Sequence, residues 1–201
     1  MEKFFYQSIS TSMEIEVPES VYFPHEDSLM LAKALESIAE ELGGKSLLEI
    51  GCGSGLISIL AAKLGAVVTA TDINPEAVEA AIQNAKANSV QLNAFASDLF
   101  ANVKGSFDFI IFNAPYLPDQ DGDMPENFRT QWSIHQNGNV IERFAREAKS
   151  HLSSKGRILI LFSSLSGDIM KLLKENGFEA RILSRKKLDF EELFVVEGKK
   201  K

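Results

Sequence analysis

Leu47-Leu48-Glu49-Ile50-Gly51-Cys52-Gly53-Ser54-Gly55 is the stretch that decides the fold. Its first half is a short apolar run of the length of a buried strand. Its second half is a glycine-rich turn, and the apolar-periodic residues Leu56 to Leu64 that follow predict a helix ended by Gly65. Strand, tight turn and helix open a βα unit. Glycines let the backbone turn sharply and come close to a ligand. The spacing is G-x-G-x-G, with Leu56 where the dinucleotide fingerprint needs its third glycine. Glu49, at the strand end, would repel a pyrophosphate and suits a cationic ligand. Taken alone, the turn also fits a tight βα connection that binds nothing.

Working outward from that unit, the chain keeps alternating. Val67 to Thr71 predicts a second strand, and Pro75 to Asn88 a helix with proline near its first position. Gln91 to Ala96 and Phe107 to Phe112 predict strands three and four. A helix over Val140 to Leu152, a strand over Gly156 to Phe162 and a helix over Leu165 to Asn176 follow, the last capped by Gly177. Phe178 to Leu183 and Glu192 to Glu197 leave no room for a crossover helix, so they should pair antiparallel. Upstream, Glu26-Asp27-Ser28 opens an amphipathic helix running to Leu42 and stopped by Gly43-Gly44. Residues 4 to 24 are short β-like pieces at Phe4 to Tyr6, Met13 to Val17 and Val21 to Phe23, broken by Pro18 and Pro24. They read as a lid or hairpin ahead of the main domain. The expected fold is an α/β, doubly wound, mostly parallel seven-stranded sheet with an antiparallel C-terminal hairpin.

The chain has 201 residues, 45% of them apolar and 24% charged, which suits one globular domain with a sizeable core. A net charge of -7 argues against a generic nucleic-acid binder. The basic runs are Arg185-Lys186-Lys187 and the terminal Lys199-Lys200-Lys201. A single cysteine, Cys52, excludes an internal disulfide and a thiolate zinc cluster. Cys52 reads as a small packed residue, and His25 and His151 as structural. No apolar run reaches membrane-span length, and the N-terminus lacks a signal-peptide pattern. A reduced, cytoplasmic protein is the expectation.

Carboxylates recur at the predicted strand ends. Asp72 closes strand two and is placed to accept both hydroxyls of a ribose. Asp98, in Ser97-Asp98-Leu99-Phe100, closes strand three and can accept from an exocyclic amine. Strand four runs into Asn113-Ala114-Pro115-Tyr116. There an amide side chain, a carbonyl ahead of a proline and an aromatic ring sit at the edge where open α/β sheets place their sites.

Together these residues resemble the class I S-adenosylmethionine-dependent methyltransferases over residues 25 to 198, which implies one methyltransferase domain with residues 1 to 24 as an N-terminal extension. The resemblance implies S-adenosylmethionine as cofactor. Glu49, Gly51, Gly53 and Gly55 would hold its methionine part, Asp72 the ribose, and Asp98 with Leu99 the adenine. Asn113-Ala114-Pro115-Tyr116 looks like the [Asn/Asp]-Pro-Pro-[Tyr/Phe] motif of enzymes that methylate planar nitrogens. Asn113 and the carbonyl of residue 114 would accept both N–H groups of the amine, with Tyr116 against its flat face and no metal required. Ala114 replaces the family's proline, so a somewhat looser site is expected, although Pro115 still favours an extended residue 114.

Val21-Tyr22-Phe23-Pro24-His25-Glu26-Asp27-Ser28 and Lys186-Lys187-Leu188-Asp189-Phe190-Glu191-Glu192-Leu193 resemble segments of the small HemK-type protein-glutamine methyltransferases of eukaryotes and archaea. That branch modifies the Gly-Gly-Gln glutamine of a translation termination factor, and its hydroxyl residue in the first segment contacts the cofactor, which points to Ser28. It also implies a small zinc-ribbon activator as partner. The branch's Trp and glycine-rich stretch is here Trp132-Ser133-Ile134-His135-Gln136-Asn137-Gly138, a departure that bears on substrate. His135 reads as a loop residue before a general base. Two alternatives stand beside this reading: methylation of an adenine or other nucleic-acid amine, and a cofactor-binding subunit without catalysis.

Overall fold

Alternate residues of the central strands point to opposite faces, and both faces are covered. Leu47, Phe109, Ile111, Leu159 and Leu161 join one buried cluster; Leu48, Ile110, Phe112, Ile158 and Ile160 join the other. Strands buried on both faces read as continuous apolar runs, which is why the sequence pattern was legible. The computed structural model describes residues 1–8, 11–115 and 140–201. Its strands are β1 (Glu2–Gln7), β2 (Ser12–Val17), β3 (Ser46–Ile50), β4 (Val67–Asp72), β5 (Asn93–Ala96), β6 (Phe107–Asn113), β7 (Leu152–Ser163), β8 (Phe178–Lys187) and β9 (Glu192–Lys200). Its α-helices are α1 (Glu26–Glu36), α2 (Leu56–Lys63), α3 (Pro75–Ala87), α4 (Val140–Ala148) and α5 (Ile169–Glu175).

Seven strands form one sheet in the order β5-β4-β3-β6-β7-β9-β8. The first four pairings are parallel. β9 is antiparallel to both β7 and β8, so the last strand of the chain lies inside the sheet and β8 forms its edge. The doubly wound architecture with an antiparallel C-terminal hairpin is as expected. β1 and β2 pair as a separate antiparallel hairpin. Its buried Tyr6, Met13, Ile15 and Val17 belong to the same apolar cluster as α1, α2 and α3.

Element boundaries differ from expectation where side chains compete with the backbone. The first helix stops at Glu36 instead of Leu42. Ser37 Oγ donates to the Ala34 carbonyl at 2.7 Å, and the chain tightens into a 3-10 turn over Ala39–Glu41. Val21 to Phe23 is not a strand, because the Val21 amide closes a turn on the Pro18 carbonyl at 3.0 Å. The last helix starts at Ile169, not Leu165. Gly167 takes φ +90° and Asp168 caps the helix, its side chain accepting from the Lys171 amide at 2.9 Å. β7 begins at Leu152, where the helix was expected to end. No described helix is long and apolar enough to cross a membrane. Tyr116 and the Trp132 to Gly138 segment with His135 lie outside the described residues.

Candidate active site

The parallel ladder puts the strand-end residues side by side. Ile50 of β3 is in register with Thr71 of β4 and with Phe112 of β6, so Glu49, Asp72 and Asn113 all fall within one residue of the same level. Asp72 pairs with Ala96, which brings the Ser97-Asp98-Leu99 turn alongside. These ends line one cleft at the carboxyl edge of the sheet. Ser28, Glu49, Gly51, Gly53, Asp72, Asp98, Leu99, Asn113, Ala114 and Pro115 are all in its wall. Val21 and Tyr22 close it from the segment before α1. Of the residues expected at the site, Gly55 alone among those described is absent from the wall.

Gly55 instead caps α2 with φ +90°, and a Cβ there would lie 3.0 Å from the Cα and Cβ of Ala81 on α3. Its role is close helix packing. Gly51 (φ +67°) and Gly53 (φ +51°) do form the turn facing the cleft. Cys52, between them, is buried against Ala70 and Ala81, and burial pushes its thiol well above the ordinary value. That makes it a packed, unreactive thiol.

The carboxylates have distinct environments. Glu49 is 3% exposed, and the Ser58 hydroxyl donates to its Oε2. Burial pushes its carboxyl up to about 8 against that hydrogen bond, with the neighbouring Asp72 charge adding to the rise. Asp72 accepts from the Gly53 amide at 2.9 Å through Oδ2 and from the Asn74 amide at 2.9 Å through Oδ1. Burial raises its carboxyl, opposed by these backbone donors. Each oxygen keeps a further lone pair for a ligand. Asp98 Oδ2 accepts from Arg143 of α4 at 2.8 Å, leaving Oδ1 for the cleft. Leu99 sits at φ +46°, a conformation held by the Ser97 hydroxyl, which donates to the Leu99 carbonyl at 2.9 Å.

At the centre of the cleft, the Asn113 amide is oriented. Its Nδ2 donates to Asp27 Oδ2 at 3.0 Å, and its Oδ1 is buried with no partner among the described residues. A carboxylate can only accept, so this contact fixes which end of the amide is which. Asp27 is 3% exposed, and its Oδ1 accepts from the Ser28 amide at 2.6 Å and the Ser28 hydroxyl at 3.2 Å. Sequence reasoning placed Asp27 only as an acid opening α1. It missed Asp27's hold on Asn113, which spans 86 residues, and the Arg143 contact to Asp98.

Ala114 is better fixed than its missing proline ring suggested. Its amide donates to the Leu161 carbonyl at 3.0 Å, and the residue is 1% exposed. The bond extends the β6–β7 ladder by one step, and a proline has no N–H to make it. His151 stacks on Phe100 at 4.7 Å, and His25 packs edge-on to Tyr22 at 5.6 Å; neither is in the cleft wall.

Such a cleft, with acids at three adjacent strand ends and an oriented amide, has counterparts among known proteins. Residues 26–188 match the Methyltransferase small domain family. The "Putative protein N5-glutamine methyltransferase MJ0928" of Methanocaldococcus jannaschii is 41% identical over 189 residues, covering 92% of this chain and 94% of its own. Methyltransferase HEMK2 of Mus musculus is 34% identical over 79% of this chain and 80% of its own. Among solved structures, the E. cuniculi Mtq2–Trm112 complex, which methylates the translation termination factor eRF1, superposes with a TM-score of 0.68 at 26% identity, over 90% of this chain and 99% of the matched one. The protein is a methyltransferase, and the chain belongs to the Methyltransferase small domain family.

Proposed function

We propose that the protein is an S-adenosylmethionine-dependent N-methyltransferase acting on the side-chain amide of the glutamine in a Gly-Gly-Gln motif of a translation termination factor. The observation that carries this reading is the buried Oδ1 of Asn113, without a partner among the described residues, with Nδ2 committed to Asp27. An acceptor presented in this way matches an amide N–H. The names of the M. jannaschii and E. cuniculi relatives, one for N5-glutamine methylation and one for eRF1, support the same substrate.

The residues present fit the cofactor. Glu49 suits its cationic amino-acid end, Asp72 the ribose hydroxyls, and the free oxygen of Asp98, beside Leu99, the adenine amine. Gly51 and Gly53 let the backbone approach, and Ser28 supplies a hydroxyl at the rim. When bound, S-adenosylmethionine supplies a methyl group on a positively charged sulfur, which takes back both electrons of the broken carbon–sulfur bond. An amide nitrogen is a poor nucleophile because its lone pair is delocalised, so the protein's contribution is positioning. Asn113 Oδ1 and the Ala114 carbonyl accept its two N–H groups. Both acceptors meet the positive charge that grows on nitrogen as the new carbon–nitrogen bond forms. That charge acidifies the N–H, and the surplus proton leaves to water.

The E. cuniculi enzyme was solved with Trm112, and a small zinc-ribbon activator is the partner proposed here; co-expression should raise its solubility or its cofactor affinity. A termination-factor substrate places the reaction in the cytoplasm. The test is incubation with recombinant termination factor and methyl donor, read by mass spectrometry. One methyl on the Gly-Gly-Gln glutamine, abolished by Asn113→Ala, is the expected result. Methylation of RNA or DNA in its place would overturn the substrate, and cofactor binding without any turnover would leave only a binding subunit.

A further inference from the structure

The β8–β9 turn carries an exposed aromatic ring on the same edge of the sheet as the cleft. Asn113 pairs with Leu161, and two residues further along β7 Ser163 pairs with Leu193 of β9. The turn between β8 and β9 is therefore at the carboxyl end of the parallel strands. Lys186 forms an ion pair with Glu26, the residue before Asp27, which holds the turn against the start of α1.

The turn itself is fixed. The Leu188 amide donates to the Glu191 carbonyl at 2.8 Å, and the Glu192 amide donates to Ser164 Oγ at 3.1 Å. Leu188 packs against the core and Leu193 is fully buried. Phe190, between them, is 95% exposed, and Leu165, next to the hydroxyl that anchors the turn, is 55% exposed. A fixed turn that presents a phenyl ring and an aliphatic chain outside the core has the make-up of an anchor for a protein segment.

We propose that this turn docks the protein substrate beside the reacting glutamine, with Phe190 as the anchor. The occupant is the segment flanking the modified residue, bearing an apolar side chain for Phe190 and Leu165. Its place follows from the ladder. At strand spacings and rises, the turn is roughly 15 Å from Asn113, so an extended chain reaches it in about five residues. The continuity of turn and cleft along one sheet edge favours the substrate over an unrelated partner. This inference rests on the protein-glutamine reading above.

The experiment compares wild type with Phe190→Ala on two substrates: the intact termination factor and a short Gly-Gly-Gln peptide that ends before the turn. Phe190 touches nothing in the cleft wall and lies outside the core, so the variant folds and binds cofactor as wild type does. Phe190→Ala should raise KM for the intact factor about tenfold, the typical loss at one interface anchor, with kcat held within about twofold. Turnover of the short peptide should be unchanged. An unaltered KM for the intact factor overturns the docking role, as does an equal loss on the short peptide. If wild type methylates neither substrate, the glutamine reading itself has failed, and the docking role falls with it.

Discussion

At Asn113, chemistry depends on which end of a symmetric-looking side chain faces the cleft. Asp27 settles this by accepting a hydrogen bond from Nδ2, so Asp27 is a positioning residue and Asn113 the acceptor. Asp27→Ala frees the amide to rotate and leaves it half the time presenting donors to a donor. Its kcat should fall about tenfold or more, while cofactor affinity stays within about threefold in calorimetry. A kcat equal to wild type would show that the amide is held some other way. Glu49 supports a separate prediction. Its carboxyl is pushed up to about 8, so below that pH the empty site holds a proton that a cationic cofactor must displace. Affinity should therefore rise with pH, by at most about tenfold per unit, until pH 8 and then level off. Glu49→Gln should bind weakly and with a flatter profile. The same raised value stabilises the empty fold at low pH, an advantage lost as pH rises through about 8, so the empty protein should melt lower there.

Elements explain what the sequence could and could not show. The apolar runs at Leu47 to Ile50 and Phe107 to Phe112 announced β3 and β6, because a strand buried on both faces has few other readings. The glycine turn and the acids after each strand announced the cleft, since the parallel register aligns strand ends. Long-range side-chain contacts were illegible: nothing local in Asp27 shows a bond to a residue on β6. The same holds for Asn84 on α3. Its Oδ1 accepts from the Glu16 amide at 2.9 Å, and its Nδ2 donates to the Glu16 carbonyl at 2.8 Å and the Ser54 carbonyl at 2.9 Å. One amide thus ties the N-terminal hairpin and the glycine turn to one helix. Asn84→Ala should cost roughly 3 kcal/mol by orphaning those groups. Hydrogen exchange should show β2 losing protection first, and an intact β2 would refute the tie. Ala114 supports the converse test. Ala114→Pro restores the family's residue but deletes the donor to Leu161. A stranded carbonyl costs about 1–3 kcal/mol, against the 0.4–1 that a compatible proline returns. The variant should melt a few degrees lower, and a higher melting temperature would mean the bond contributes nothing.

Across the whole molecule, the parallel half that builds the cleft must be joined to the antiparallel half that carries the docking turn. Arg157 of β7 makes that junction. Its Nη1 donates to Glu197 of β9 at 2.7 Å, its other nitrogen reaches Glu41 after α1, and its guanidinium lies 4.7 Å over the Phe109 ring of β6. Arg181 of β8 donates to the second Glu197 oxygen at 2.6 Å. Glu197 is 1% exposed, so burial pushes its carboxyl up, yet the Arg181 and Arg157 guanidiniums outweigh burial and hold it below the ordinary 4.5. A lowered folded value means the stabilisation is present above the ordinary value and is lost as pH falls through the folded one. Wild type should therefore lose stability in acid beginning below about pH 4.5, and Glu197→Gln should remove part of that dependence. The partners are not equivalent. Glu197→Ala leaves the buried Arg157 only the exposed Glu41 carboxylate as ion-pair partner and should cost more than about 1 and up to about 3 kcal/mol. Arg181 is 64% exposed, so Arg181→Ala should cost no more than about 1 kcal/mol. Equal losses for the two variants in urea unfolding would show that the network acts at the surface. The expected inequality would place the junction of the two half-sheets on the buried Arg157–Glu197 pair.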